Sequence, residues 1–350
     1  MGGTSNVGLT AGTPPIGSQT PKPTDQQAPV NGRPVGGKTP KFFKQVAKGL
    51  TSAFKSIGKN LSKLGPKQDT AVSKGYSKAA GKAIDRYIAA RAANQSNPTQ
   101  ATKDALQTAR QEMRKALLKE LNNSPLMQAS QNEPKQNILH NSEVAYATDV
   151  SDCVLEAFNS LMTTPGVIAE ARQKGISIDQ LVALHLYTTQ AYGGINSELR
   201  TGQPCGFVTE LCNTMRDAWD KLDKPVYVTN RLVNLPSSID AMYQKGKTVT
   251  DPGIGSAAHN VGNVFGGDQQ SHVITVIPSD NTLARDVSWL SATKGEDESL
   301  FPPGSQFEVL LRDNANKPTQ VGGTKENPVF DFRVNLLVKE VNTETNPWTS

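Results

Sequence analysis

The sequence predicts an α+β protein. Helical periodicity fills the chain up to about residue 200, β-branched and aromatic runs dominate after 225, and the net charge changes sign between the two parts. Residues 1–140 hold 21 Lys and Arg against 7 Asp and Glu, a net of +14; residues 141–350 hold 16 against 25, a net of −9. The whole-chain value of +5 therefore hides a basic arm on an acidic body, and such an arm points to an anionic partner, lipid or nucleic acid. The apolar fraction of 36% over 350 residues is low for a globular chain, so part of it is expected not to pack.

Several classes are excluded early. No stretch approaches the roughly 18 apolar residues of a membrane-spanning helix. The segment MGGTSNVGLT has no basic region followed by an apolar one, so Sec-type export is not expected. Three cysteines cannot all pair, and the four histidines have no ligand-like spacing, so neither a disulfide scaffold nor a structural zinc site is expected.

Taken in order, residues 1–40 are rich in Gly, Pro, Thr, Ser and Gln and show no apolar period, which predicts a disordered leader. The P-loop pattern from Gly32 to Thr39 lies between TDQQAPVN and Pro40, with neither a strand before it nor a helix after it, and is read as accidental. Residues 41–65 are expected to form a basic amphipathic helix. Phe43, Val46, Leu50, Phe54, Ile57, Leu61 and Leu64 recur at spacings of three and four, and six lysines with no acid occupy the rest of 41–64. That charge pattern suits an anionic membrane surface better than docking on the protein's own body. Aromatic residues interleaved as a single-strand platform are absent, so no nucleic acid is expected.

Residues 74–121 predict a helical hairpin interrupted at Pro98, with Thr99 capping the second helix; 122–142 reads as a linker. From 143 a further helix (EVAYATDVSDCVLEAFNSLM) leads to Ser177-Ile-Asp-Gln180, a capping box that opens another; Gly193-Gly194 is expected to interrupt before INSELR. PVYVTNRLV, SHVITVIP, QFEVLLRD and FDFRVNLLVKEV are the strand candidates.

Three places carry chemistry. Glu296 and Glu298 flank Asp297; in an extended segment they share a face, and paired carboxylates perturb each other. Arg231 ends the strand KPVYVTNRLV, where its planar fork could hold a phosphate. Ser256 follows Gly253 and Gly255 in a loop. Singly, each has an ordinary reading: a solvated acidic turn, a surface arginine, a turn hydroxyl. Cys205 reads as a packed thiol, and His259 and His272 as ordinary strand and loop residues.

Together they are more specific. An arginine on a strand, a serine some 25 residues later, then E-x-E before LFPPGS resembles the arginine–serine–E-x-E class of bacterial mono-ADP-ribosyltransferase effectors and toxins. LHLYTTQAYGGINSELR, KPVYVTNR, GKTVTDPGIGSAA, ESLFPPGSQFEV and FRVNLLVKEV each resemble a segment of that family. The resemblance implies an ADP-ribosyltransferase-like fold over 143–345, two small packed β-sheets flanked by N-terminal helices. It implies NAD as co-substrate without a metal, with Arg231, Ser256 and Glu298 binding it. Glu298 would be the catalytic glutamate, Ser256 its orienting hydroxyl, and Glu296 the group that handles an arginine acceptor. It also implies a host protein as substrate, a type III-like route into the host cell, and a secretion chaperone. The family's Ser-Thr-Ser is here Ser256-Ala257-Ala258. That departure keeps open an inactive binding module, and the fold also serves threonine acceptors.

Overall fold

The computed structural model describes residues 75–133, 149–164, 166–259, 271–295, 297–313, 319–323, 328–331 and 334–341. The expected leader 1–40 and the expected amphipathic helix 41–65 lie outside them. The chain divides at residue 70, and all described residues belong to the second unit, Ala71–Ser350.

Nine helices among the described residues precede or interrupt the strands. α1 (Lys78–Ser96) starts at Ser77, whose hydroxyl accepts from the Ala80 amide, and α2 (Gln100–Asn122) starts at a reciprocal box between Thr99 and Thr102. α3 (Pro125–Asn132) occupies the segment expected to be a linker. Ser124 caps it and Pro125 takes its first position, where the missing amide hydrogen has no helical partner to lose. The Ser-Pro pair is therefore a helix start within the expected linker, and Leu126 and Met127 are buried. α4 (Val150–Thr163), α5 (Val167–Lys174) and α6 (Ile178–Tyr187) follow, the last opened by the Ser177/Gln180 box. α7 (Tyr192–Arg200) contains Gly193 and Gly194 in its first turn, so these glycines begin the helix instead of interrupting it. α8 (Gly206–Trp219) and the short α9 (Ser237–Asp240) complete the set.

The hairpin α1–α2 is not a separate appendage. Ile84, Met113, Leu117 and Leu121 join one core with Phe158, Leu181, Tyr187 and Trp219. Arg172 on α5 pairs with Asp85, Arg110 donates to the Met162 carbonyl at 2.7 Å, and Arg114 to Asn159 at 2.7 Å. Arg86 pairs with Glu112 across the hairpin itself.

The strands are β1 (Thr229–Val233), β2 (Thr248–Asp251), β3 (Gly255–Ala258), β4 (His272–Ile277), β5 (Arg285–Asp286), β6 (Glu298–Phe301), β7 (Ser305–Asp313), β8 (Thr319–Gly323), β9 (Pro328–Asp331) and β10 (Val334–Glu340). Eight form one sheet in the order β2-β7-β10-β4-β1-β3-β6-β5, with only β10 and β4 parallel; β8 and β9 make a separate ribbon. The α+β class is as expected, but the two small sheets are hydrogen-bonded into one. They meet at β1 and β3 through the single pair Asn230↔Ala258. Asn230 reinforces that seam, donating to the His259 carbonyl at 3.2 Å and accepting from Thr275 at 3.0 Å. Side chains alternate across the sheet: on β6, Leu300 enters the helical core and Phe301 a second core with Ala257, Ile274, Phe307 and Leu336.

Because Leu117 is fully buried in the shared core, Leu117→Ala is expected to cost about 2–5 kcal/mol. All three tryptophans (Trp219, Trp289, Trp348) lie beyond the hairpin. Tryptophan fluorescence and far-ultraviolet circular dichroism should therefore report one denaturant transition at a common, lowered midpoint. A fluorescence midpoint left at the unmodified value would show the hairpin to be independent.

Candidate active site

The seam between β1 and β3 is where the sequence-predicted side chains are placed. Arg231 lies on β1, Ser256 on β3 and Glu298 at the start of β6, which pairs with β3 in the register Ala258↔Glu298 and Ser256↔Leu300. Glu298 is 4% exposed. A carboxylate that deep must be hydrogen-bonded, and both oxygens are: Ser256 Oγ donates to Oε1 and Ser291 Oγ to Oε2, each at 2.6 Å. Ser291 lies in the segment 287–291, which is tied to β6 by the Val287 amide donating to the Glu298 carbonyl at 2.9 Å. Nothing in the sequence motif pointed to it.

Glu296 lies outside the described residues. Its neighbour Asp297 has φ 48°, the left-handed region that Asp tolerates better than most residues. The backbone is therefore not extended at 297.

Arg231 is not a free arginine. Its Nη1 donates to Asp251 Oδ2 at 3.0 Å, both side chains being 12% exposed, and Arg200 stands 3.5 Å from the other Asp251 oxygen. Burial opposes ionisation of Asp251, but the charges of Arg231 and Arg200 and hydrogen bonds from Arg231 and the Gly253 amide outweigh it and hold the carboxyl below its usual range. Burial likewise works against the Arg231 charge, and Asp251 more than restores it. The guanidinium lies so close to β3 that a Cβ at Gly255 would be 3.0 Å from Nη1 and 3.3 Å from the Phe301 Cβ. Its buried Nε–H has no hydrogen-bond partner among the described residues.

The loop before β3 is fixed from the helical side. Tyr187 donates to the Ile254 carbonyl at 2.6 Å; Asn196 donates to that carbonyl at 3.0 Å and accepts from the Ile254 amide at 2.8 Å. Gly253 passes so near that a Cβ there would stand 2.8 Å from Asn196 Oδ1. Tyr187, Asn196, Asp251, Arg200 and Ser291 therefore belong to the site although only the first four fell within recognised motifs, and none was singled out. Other candidates lie apart. Burial raises the Cys205 thiol, pushes Cys153 up to about 11 and Cys212 to about 12, so none is a thiolate at neutral pH. His272 is bound between Ser271 and Asp240 in the other half of the sheet. Among the described residues no group of three or more His, Cys, Asp or Glu side chains could hold a metal ion, and no helix is long and apolar enough to cross a membrane.

With this geometry in place, comparison with known proteins is informative. No protein-family model matches the chain. Over 140 residues, 38% of this chain, it is 32% identical to a Mycobacterium avium (strain 104) protein, Mav, named for NAD(+)–arginine ADP-ribosyltransferase activity. Over 147 residues, 41% of the chain, it is 33% identical to Tre1 of Serratia proteamaculans (strain 568), named an NAD(+)–protein-arginine ADP-ribosyltransferase. These stretches span 16% and 31% of the two relatives. A solved structure of exoenzyme S from Pseudomonas aeruginosa, in complex with human 14-3-3 protein beta and bound to carba-NAD, aligns with 54% of this chain and 86% of its own at 23% identity and a TM-score of 0.39. The chain is thus similar in sequence to arginine-directed ADP-ribosyltransferases, the class to which the arginine, serine and E-x-E motifs pointed.

The folded Asp251 carboxyl sits below its unfolded value, so the stability it contributes is present above the unfolded value and is lost as pH falls through the folded one. Asp251→Asn is therefore expected to lower Tm most at neutral pH, the gap from the unmodified protein closing as pH drops below about 4. A pH-independent difference between the two melting curves would contradict the assigned ion pairing.

Proposed function

We propose that the chain is a mono-ADP-ribosyltransferase that moves ADP-ribose from NAD to arginine side chains of a protein, releasing nicotinamide. The observation that carries this reading is a buried Glu298 carboxylate on β6, held on both oxygens by serine hydroxyls, next to the strand β3 that pairs with the Arg231 strand β1. The named relatives, whose names give an arginine-directed ADP-ribosyltransferase activity, support the same reading.

The chemistry follows from the charges. The bond between the nicotinamide ring nitrogen and the ribose C1′ breaks, nicotinamide leaves as a neutral pyridine with the bonding pair, and positive charge develops on the ribose. Glu298 stabilises that charge and accepts a hydrogen bond from the ribose 2′-hydroxyl, preorganised electrostatics of the kind used on oxocarbenium-like states. An arginine nitrogen of the acceptor then bonds to C1′ and loses a proton, which Glu296 takes or guides. The donor set fits a pyrophosphate: Arg231 keeps an unpartnered Nε–H, and Arg200, whose side chain is about half exposed, brings a second positive charge against the single negative charge of Asp251. Arg231 also has a bracing role, since its guanidinium packs against the strand that carries Ser256.

The missing hydroxyls of the Ser-Thr-Ser pattern do not argue for an inactive module. Ala257 and Ala258 are 2% and 1% exposed and pack as apolar residues, while Glu298 has its donors from elsewhere. For the basic arm, residues 41–64 are proposed to rest on an anionic membrane surface, and 1–40 to act as a leader for type III-like delivery with a secretion chaperone. The charge pattern supports the first and the polar composition the second.

Glu298→Ala should abolish labelling of protein by NAD while leaving the fold intact, read by mass spectrometry of a host-type lysate incubated with labelled NAD and by circular dichroism of the variant. Glu296→Ala should lose transfer more than NAD hydrolysis; equal losses would remove its role toward the acceptor. The full chain should sediment with vesicles of phosphatidylserine and phosphatidylcholine, be released by salt, and ignore phosphatidylcholine alone. Lys44→Glu with Lys48→Glu should abolish that binding.

A further inference from the structure

We propose that Ser291 is a positioning residue for the reaction: it is the second hydroxyl of a two-sided grip that sets the orientation of the Glu298 carboxylate. The inference rests on the transferase reading above and goes beyond it, because the family motif supplies only Ser256.

A hydroxyl has one hydrogen and two acceptor positions. The Thr293 amide donates to Ser291 Oγ at 3.2 Å, filling one acceptor position and directing the hydroxyl hydrogen away from that amide. The hydrogen is then given to Glu298 Oε2 at 2.6 Å, the short distance of a bond to an ionised oxygen. Ser256 does the same to Oε1 from β3. The carboxylate plane is thereby held from two strands of backbone approaching from different sides, and rotation about its terminal bond breaks both bonds together.

Ser291 is itself pinned. Its amide donates to the Val287 carbonyl at 2.9 Å, while the Val287 amide donates to the Glu298 carbonyl, so one short turn holds the backbone and the side chain of the same glutamate. On the flanking residues, His185 Nδ1 bonds the Leu290 carbonyl at 2.6 Å and the Ala292 amide donates to Thr188 Oγ1 at 2.9 Å. Both partners come from the C-terminal end of α6 and the residue after it. Burial pushes His185 toward its neutral form, which suits an imidazole whose Nδ1–H is committed to a carbonyl. The rigid helical core thus extends to within one hydrogen bond of the carboxylate, as a functional group on a rigid support requires. The neighbours of Ser256 that carry hydroxyls in the family pattern are alanines here, so Ser291 supplies from the opposite side a donor that β3 lacks.

The test compares the unmodified full chain with Ser291→Ala and Ser291→Thr, following nicotinamide release from NAD and transfer to agmatine as a guanidine acceptor, with Tm measured in parallel. Loss of one hydrogen bond to a charged group is expected to lower kcat of Ser291→Ala about 10- to 100-fold, with KM for NAD little changed. Removing a donor that favours the ionised carboxylate should also move the acid limb of the kcat profile to higher pH, a change that a merely structural role would not produce. Ser291→Thr, which keeps the hydroxyl, should restore most of the rate and return the limb. An active unmodified protein with unaltered kcat and profile in Ser291→Ala overturns the inference alone, as does a rate loss matched by a fall in Tm with the limb unmoved. An unmodified protein that releases no nicotinamide overturns the transferase reading and this inference with it.

Discussion

A carboxylate that is 4% exposed imposes its own conditions on everything around it. Taken from water without partners it would be costly to ionise, and in an apolar setting it would hold its proton instead. Glu298 meets the condition with two hydroxyls, one on each oxygen, and those hydroxyls must arrive from separate pieces of chain. The register of β3 against β6 delivers the first, because Ser256 opposes Leu300 two residues along from Glu298 itself. The turn 287–291 delivers the second, and that turn is fixed only because β5 and β6 pair on one side of it and the end of α6 holds it on the other. The helical layer, which contributes none of the arginine, serine and E-x-E residues, is what holds the turn that orients this glutamate.

The positive side of the site obeys the same logic with the sign reversed. Arg231 is nearly withdrawn from solvent, and a guanidinium cannot lose its proton to escape the cost. Asp251 compensates it, and Arg200 then returns the cluster to a net positive charge without a second buried and unpaired ion. The arrangement separates two tasks that the sequence merges in a single arginine: Arg231 holds β1, β3 and the loop at Asp251 in register, and Arg200 presents the more accessible charge. The close approach at Gly255 is part of the same solution, since any side chain there would displace the guanidinium from the strand it braces.

How legible this was depended on the range of the interactions. Local signals are legible where one residue decides a local geometry, as in the N-cap at Thr99, the box at Ser177 with Gln180, and the β-branched runs that form β1, β4, β7 and β10. Ser124-Pro125 and Gly193-Gly194 misled because the same residues serve as breakers and as first-turn residues, and only the packing of Leu126, Met127 and Ile195 decides between the two. The helix α8 opens at Cys205 without a side-chain cap, so only the helical spacing of its buried residues marks it. Arg231, Ser256 and Glu298 were found through order and spacing. Ser291, separated from Ser256 by 35 positions and lying in a stretch of unremarkable Ser, Ala and Thr, had no pattern to betray it. Its role exists only in three dimensions, as does the pairing of Asp251 with Arg231 across 20 residues.

The acidic triplet shows how a small backbone feature can divide labour between neighbours. Three consecutive carboxylates on an extended strand would alternate in and out, and the two facing inward would repel each other, raising the cost of ionising either one. The left-handed conformation at Asp297 removes that alternation. Asp297 itself is exposed, its carbonyl accepting from the His259 amide at 3.2 Å, and the next residue enters the sheet as the buried first position of β6. Aspartate is suited to the middle position on conformational grounds, being among the few residues other than glycine that visit this region readily, while its charge remains in water. The turn at Asp297 thus leads directly into the buried Glu298, and two serine hydroxyls decide which way its carboxylate points.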